Sequence, residues 1–532
     1  MKPIKRMLAA LLSAAMLLGL LTGCGAKEEQ PYVPTGDALL MEGQDPEDLL
    51  PPEEDNETLV LAYYPNRSMN PLIGNNFTNR VLFSLMYQGL FAYNSKNETT
   101  PILCSRYRVS PDNTIYTFYV DDNARFSDGT RVTIQDVYAS YDAARESNYY
   151  KGRFTHIVEY QLREDGGITF YLDTPYQNLP LLLDIPIVKA SEVNAEHPTG
   201  SGPYSFYSSE DGAELHRVDN WWGGVRISTN ARVIQLMEAT SQAQLRDEFE
   251  FGGLNLACAD PMLDSYSAYR CDYELWEVEN GVFLYLGCNL LYSPYFKDND
   301  TLRKALTYAI DRETLINDNY RGMAQASTLV TSPGSPYYNA SLASRYAYDP
   351  MKFLDAISGF AIPKDDKGNV KKMKLLVNSD DSARLRAARQ IAAHLTELGI
   401  PTGVLEYGSS GPGTTYEQVL RAGTYDLYLG QTKLPVNNDL SEFFKGYGNL
   451  QWGGVTNGTL LNMMKEALSN SGNYYNLNQM VADDGSIIPV LFGCYYIYSK
   501  RGELLDLNPS RDNVFYYSLG KTMAGILEQN EN

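Results

Sequence analysis

Residues 281–323, GVFLYLGCNLLYSPYFKDNDTLRKALTYAIDRETLINDNYRGM, set a strand directly ahead of an amphipathic helix. The run 282–286 is β-branched and aromatic, of strand length and character. Asp298, Asn299 and Asp300 then offer side-chain oxygens to the free amides of a helix start. Leu302, Ala305, Leu306, Ala309, Ile310 and Ile316 recur at helical spacing, which predicts one continuous helix with a buried face, ended by Asn319 to Gly322. A chain built around such a pair needs a sheet with helices packed on it.

Farther along the same alternation repeats. Residues 374–377 read as a strand and 382–398 as a helix on Leu385, Ala388, Ile391, Ala392, Leu395 and Leu398. Gly399 stops that helix, with Pro401 just beyond. Residues 404–405, 415–422 and 425–429 continue as strand, helix, strand, which predicts a parallel unit with right-handed crossovers. Ligands bind beyond the carboxyl ends of such strands, which points to residues 430–433. The run 487–498 is the last strong strand.

The N-terminus reads as an address. Lys2, Lys5 and Arg6 precede a short apolar run, and Leu21-Thr22-Gly23-Cys24 matches a lipobox, with small residues before the cysteine. The apolar run is short for a membrane span. Residues 25–57 carry eleven acids, one lysine and five prolines, a composition that predicts a solvated, extended tether.

The body opens with a strand at 58–64, a loop PNRSMNPLIGNN, and a helix on Phe77, Val81, Leu82, Leu85, Met86 and Leu90. Asn66, Arg67 and Asn70 in that loop are candidate ligand contacts or ordinary turn residues. Runs 106–109 and 115–120 flank Ser-Pro-Asp-Asn and predict a hairpin. Ser127-Asp128-Gly129 is a turn, Thr133 with Asp136 a capping box, and 168–172 a further strand. After Gly200-Ser201-Gly202-Pro203-Tyr204 come a strand at 215–218 and the adjacent Trp221 and Trp222, which line a cleft or pack a core. Residues 231–238 and 255–258 read as strands around a helix at 241–250.

These segments resemble, in order, the bacterial peptide/nickel class of solute-binding lipoproteins (family 5). The resemblance rests on the loop-helix ending Gly89-Leu90, the Phe126-to-Gly129 turn with its hairpin and helix, the Gly-x-Gly-Pro-Tyr motif, and the 281–323 stretch. It implies an α/β fold, a two-lobed periplasmic-binding-protein-like clamshell of type II, large class, with an extra sub-lobe. The expected division is a signal peptide at 1–23, a tether at 24–56, lobe I from 57–75, 190–277 and 489–532, an inserted sub-lobe at 76–189, and lobe II at 278–488. Crossings near 277 and 488 form the hinge. It further implies a diacylglycerol and palmitate anchor on Cys24, extracytoplasmic placement, a monomer, and delivery of ligand to the permease of an ABC importer. Oligopeptide is the expected ligand and oligosaccharide the alternative, since abundant tyrosine and tryptophan also suit sugar rings.

The implied contacts are Asn66, Arg67, Asn70, Trp221, Trp222, Asn289, Gln431 and Lys433. Peptide-binding members place a tryptophan and an acid for the peptide amine after Tyr425-Asp426. Here Gln431 and Lys433 stand near those positions, and Asp439 lies farther along. A lysine there suits an acidic group on the ligand.

Composition narrows the alternatives. A net charge of −21 argues against nucleic acid as a partner. Four histidines without ligand spacing give no metal site, and the residues imply no cofactor. An extracellular hydrolase is the competing class, but neither HExxH nor GxSxG occurs. Gly520-Lys521-Thr522 fails as a phosphate loop because Phe515 stands where its first glycine is needed. Without Cys24, five cysteines remain, read as buried thiols with one disulfide possible.

Overall fold

In the computed structural model the chain divides into two units, Met1–Glu54 and Asp55–Asn532. The residues described are 59–515 of the second, apart from 75, 211, 225–230, 260–268, 412, 503 and 505–506. Cys24, the signal peptide and the tether lie outside the described residues.

The first strand, β1 (Leu59–Tyr63), leads to α1 (Phe77–Met86), which packs on β1 and on β8 (Tyr204–Ser209). Asn79 of α1 fixes the intervening loop: its Oδ1 accepts from the Tyr64 amide at 2.7 Å and its Nδ2 donates to the Tyr64 carbonyl at 3.1 Å. A hairpin of β2 (Phe91–Tyr93) and β3 (Thr99–Pro101) follows. Next come β4 (Cys104–Val109), β5 (Ile115–Val120), α2 (Ile134–Glu146), β6 (Ile157–Leu162) and β7 (Gly167–Leu172). These strands form an antiparallel sheet in the order β4-β5-β7-β6. The hairpin, the glycine turn at Gly129 (φ 84°) and the Thr133–Asp136 capping box all form as their residues predict. Strand β6 has no counterpart in the sequence reading; only Ile157 and Tyr160 of its six residues turn inward, too weak an alternation to see.

β9 (Gly212–Arg217) and β10 (Val233–Glu238) complete the N-terminal sheet, ordered β1-β10-β9-β8, with β1 parallel to β10. Helix α3 (Gln242–Phe251) is capped by Ser241 and stopped by Gly252 at φ 91°. It precedes β11 (Leu256–Ala259).

The largest sheet joins the remaining strands. β12 (Tyr273–Cys288) is three times the predicted length and pairs along its whole course with β17 (Ile487–Lys500). Register shifts fall between Glu279 and Phe283 and between Leu284 and Tyr285, and Gly281 sits there at φ 82°. β16 (Leu427–Lys433) is antiparallel to β12; β14 (Met373–Asn378) pairs parallel with both β16 and β15 (Thr402–Tyr407). The predicted parallel unit is therefore present, with α6 (Ser382–Glu397) and α7 (Tyr416–Ala422) as its crossovers. The short β13 (Ala324–Ala326) adds to β17.

The predicted single helix after β12 is two. α4 (Thr301–Ala305) runs through a 3-10 turn, Leu306–Ala309, and stops at Ile310, whose backbone is extended (φ −103°, ψ 105°). Asp311 then caps α5 (Arg312–Tyr320), accepting from the Thr314 amide at 3.1 Å. Every apolar position named from the helical spacing is buried all the same. Periodicity reports which residues face the core; it does not see a break that keeps the same face inward.

Among the described residues no helix is long and apolar enough to cross a membrane, and the five cysteines are free thiols.

Candidate functional site

β16 overhangs its parallel neighbour. Leu375 pairs with Leu427 and Val377 with Leu429, so residues 431–433 extend past the carboxyl end of β14. Lys433 is the last residue of β16. Solvent reaches it, yet protein surrounds it. Its ammonium lies 3.8 Å from the centre of the Tyr149 ring, contributed by the segment after α2. The Arg80 guanidinium, from α1, lies 3.6 Å from the same ring centre. Arg153 completes the cluster, and Asp512 from the C-terminal segment sits among the three cations.

The electrostatics follow from this crowding. Surrounding protein lowers the Lys433 ammonium to about 7; Asp512 opposes the shift, and Arg511, Arg80 and Arg153 reinforce it. The Asp512 carboxyl is held far below the usual range: burial works against its charge, but Arg153, Lys433 and Arg80 outweigh burial.

A second contact joins the small antiparallel sheet to the loop after β16. His156 Nδ1 is 2.8 Å from Asp173, and its Nε2 is 3.1 Å from Asp439 and 3.2 Å from Ser441 Oγ. Burial disfavours the imidazolium, but the Asp173 and Asp439 carboxylates raise it to about 9. Asp439, the acid remaining in this loop, is buried and paired with this histidine.

The other nominated residues are scattered. Trp221 and Trp222 both donate their indole N–H to the Ser201 carbonyl, at 2.8 and 3.0 Å, and Trp222 also donates to Gln88 at 3.0 Å. They brace the glycine-containing turn against the end of α1. A Cβ on Gly200 would stand 2.1 Å from the Met86 carbonyl oxygen, and one on Gly202 2.3 Å from that of Leu85. Gly200→Ala should therefore cost about 1–3 kcal/mol through forced separation of turn and helix. The check is a urea midpoint compared with that of Gly152→Ala, where a Cβ meets nothing within 4 Å.

Asn66 and Arg67 are exposed in the turn after β1. Asn70 is buried, its Nδ2 donating to the Val193 and Ala195 carbonyls at 2.9 and 2.8 Å. Asn289 is likewise buried, donating to Gly423 and Tyr425 and accepting from Leu291 and Tyr292. Lys433 pairs with Val282 across β12, so Asn289 lies seven residues up that strand, roughly 23 Å away. Of the eight, Gln431 and Lys433 share the carboxyl end of β16, and Trp221 and Trp222 share the Ser201 carbonyl. Gln431 is half-buried, and its Oε1 has no partner among the described residues.

Sequence reasoning missed Arg80, Tyr149, Arg153, His156 and Asp512. Arg80 carried one signal: it is the only charged residue of α1, between Phe77 and Met86.

Two α/β parts joined by the long paired strands β12 and β17, with a separate small sheet, make up a periplasmic-binding-protein-like clamshell. The family is specific: a sequence model of the bacterial extracellular solute-binding proteins, family 5 Middle, matches residues 98–453, and the chain belongs to that family. It is 23% identical over 321 residues to the glutathione-binding protein GsiB of Escherichia coli O157:H7, covering 56% of this chain and 60% of that one. The chain thus spans about three-fifths of the curated relatives' length. Its fold is similar to a putative peptide binding protein AppA from Clostridium difficile (TM-score 0.67, 16% identity, 87% of this chain and 99% of that). It is also similar to the oligopeptide-binding protein AppA of Bacillus subtilis in complex with a nonapeptide (TM-score 0.59, 18% identity, 86% and 98%).

Proposed function

We propose that this protein is the lipid-anchored, extracytoplasmic substrate-binding component of an ABC importer, which captures oligopeptides between its lobes and hands them to the permease. The observation that carries the reading is the meeting of Lys433, at the carboxyl end of β16, with Tyr149 and Arg80 from other parts of the chain. A ligand there touches elements that can separate and reclose, as a receptor that must release its cargo requires. The peptide-binding relatives support the ligand class, and the lipobox at Cys24 supports the anchor.

In this reading lobe I comprises 57–75, 190–277 and 489–532, the sub-lobe lies within 76–189, and lobe II is 278–488. Helix α1 packs on the lobe I sheet, which supports drawing the border of the sub-lobe after Met86. The register shifts and Gly281 mark the flexing point on β12.

Native expression followed by mass spectrometry of co-purifying small molecules tests the ligand class. Peptides are expected; neutral sugars without peptides would overturn that assignment. Small-angle scattering should show compaction on adding a bound peptide. Lys433→Ala should weaken an acidic peptide by at most about 1 kcal/mol, roughly fivefold, because its ammonium is only partly charged near pH 7 and solvent reaches it. Calorimetry with the matched neutral peptide, expected unchanged, checks it.

A further inference from the structure

Residues 507–515 leave β17 and run between three parts of the molecule without regular structure. Asn508 accepts from Ser95 Oγ at 3.1 Å. Arg511 Nη1 donates to the Leu434 carbonyl at 2.7 Å, and its Nη2 pairs with Glu279. The Phe515 amide donates to Ser84 Oγ at 3.3 Å. Between these anchors the chain makes a small turn closed on itself, the Ser510 amide donating to the Asn513 carbonyl at 2.8 Å. Asp512 stands at its tip.

The Asp512 carboxylate is received by groups from elsewhere in the chain. Arg153 Nη2 lies at 2.6 Å, Arg80 Nη2 at 3.6 Å and Tyr93 OH at 3.1 Å, and Tyr149 OH donates as well. All but Tyr149 are buried. Four cations meet here, Arg80, Arg153, Arg511 and Lys433, against three acids. Arg153 also pairs with Asp184, and Arg511 with Glu279. Lys433 has no carboxylate within ion-pair distance among the described residues, so the cluster carries a surplus positive charge on its solvent side. Beside Asp512 lies a small cavity of about 40 Å³, lined in part by Arg80, Tyr93, Tyr150 and Gln88. Gln88 is 3% exposed, and its Nε2 has no partner among the described residues.

We propose that Arg80, Arg153, Tyr93 and Tyr149 form a carboxylate-binding subsite for an acidic group on the solute, and that Asp512 is an internal occupant which that group displaces. The proposal rests on the receptor reading above. Exchanging one carboxylate for another keeps the buried arginines neutralised, and Lys433 at the rim attracts the incoming anion first. Because the 510–513 turn is closed on itself, its tip can withdraw while Val514 and Phe515 stay buried. A tethered carboxylate competes at millimolar effective concentration or higher, so it sets a threshold that weakly acidic or neutral ligands do not cross. Asp512, Arg511, Arg80, Arg153 and the Tyr149 ring all face Lys433.

Calorimetry on the full chain, wild type and Asp512→Asn, uses acetyl-Ala-Glu-Ala-amide, its Gln counterpart, and sodium acetate. Asp512→Asn should bind the Glu peptide at least tenfold tighter, with the Gln peptide unchanged. Hydrogen exchange on the wild type needs no variant to fold: saturating Glu peptide should speed exchange of amides 510–513, and the Gln peptide should not. Equal binding of both peptides to the wild type, or unchanged exchange under bound Glu peptide, overturns the subsite while leaving the receptor reading standing. If neither peptide binds but acetate binds Asp512→Asn tighter than wild type, the subsite stands and the peptide reading fails. Acetate that also shows no preference for the variant overturns the subsite.

Discussion

Replacing His156 by alanine is expected to destabilise the protein by about 3–5 kcal/mol near neutral pH, the cost of removing one partner from a buried ion pair. Asp439 is fully enclosed and would keep only Ser441, whose amide donates to it at 2.9 Å. The pH dependence gives a sharper test. The His156 value rises from 6.5 unfolded to about 9 folded. Between those values the folded state holds a proton that the unfolded state has released, so stability falls as pH rises. The contribution is complete below about 6.5, absent above about 9, and worth roughly 3 kcal/mol. Lys433 acts in the opposite sense. Its folded value of about 7 lies below the ordinary 10.5, so its contribution makes stability rise with pH across that range. The readout is therefore the difference between variants in calorimetric unfolding from pH 6.5 to 9. His156→Ala should rise with pH relative to wild type, and Lys433→Ala should fall. Identical slopes for wild type and His156→Ala would rule out the imidazolium as the link.

The fold was far more legible than the site. Strand and helix identities came from local periodicity, as with the alternation that gives β14, α6, β15, α7 and β16, and local periodicity survives in one dimension. The long pairing of β12 with β17 needed a partner some 200 residues away, which no local pattern records. Site residues are harder still. Lys433 could be nominated because it follows a parallel strand, where ligands collect. Asn70, Asn289, Trp221 and Trp222 stand at equally suggestive places, but each spends its polar atoms on backbone carbonyls and amides of its own surroundings. An asparagine that holds a turn and one that holds a ligand look alike until the partners are seen. Arg80, Arg153 and Asp512 become a group only by folding; some 359 residues separate the last two.

Arg312→Met should cost at least about 3 kcal/mol, and Arg312→Lys nearly as much. Arg312 is 4% exposed and pairs with no carboxylate among the described residues. Its guanidinium instead donates to the carbonyls of Thr307 and Ile310 at 3.1 Å, Ser327 at 3.0 Å and Pro489 at 2.9 Å, and to Thr307 Oγ1 at 3.0 Å. Burial without an anion lowers its value to about 9, with Tyr338 opposing. The charge itself is therefore a burden, and what Arg312 supplies is five directed hydrogen bonds, two of them shared by its single Nε–H. Those donors explain the break between α4 and α5. The extended backbone at Ile310 frees carbonyls that a continuous helix would have used, and Arg312 takes up two of them. The Pro489 bond ties the break to β17, one of the two strands that run the length of the large sheet. A lysine supplies a charge of the same sign but cannot reach acceptors spread over three segments. Urea unfolding of both variants decides between charge and geometry: wild-type stability in Arg312→Lys would overturn the donor account. Hydrogen exchange adds a local reading, since the amides of Ile487, Ile488, Val490 and Leu491 at the start of β17 should exchange faster in both variants.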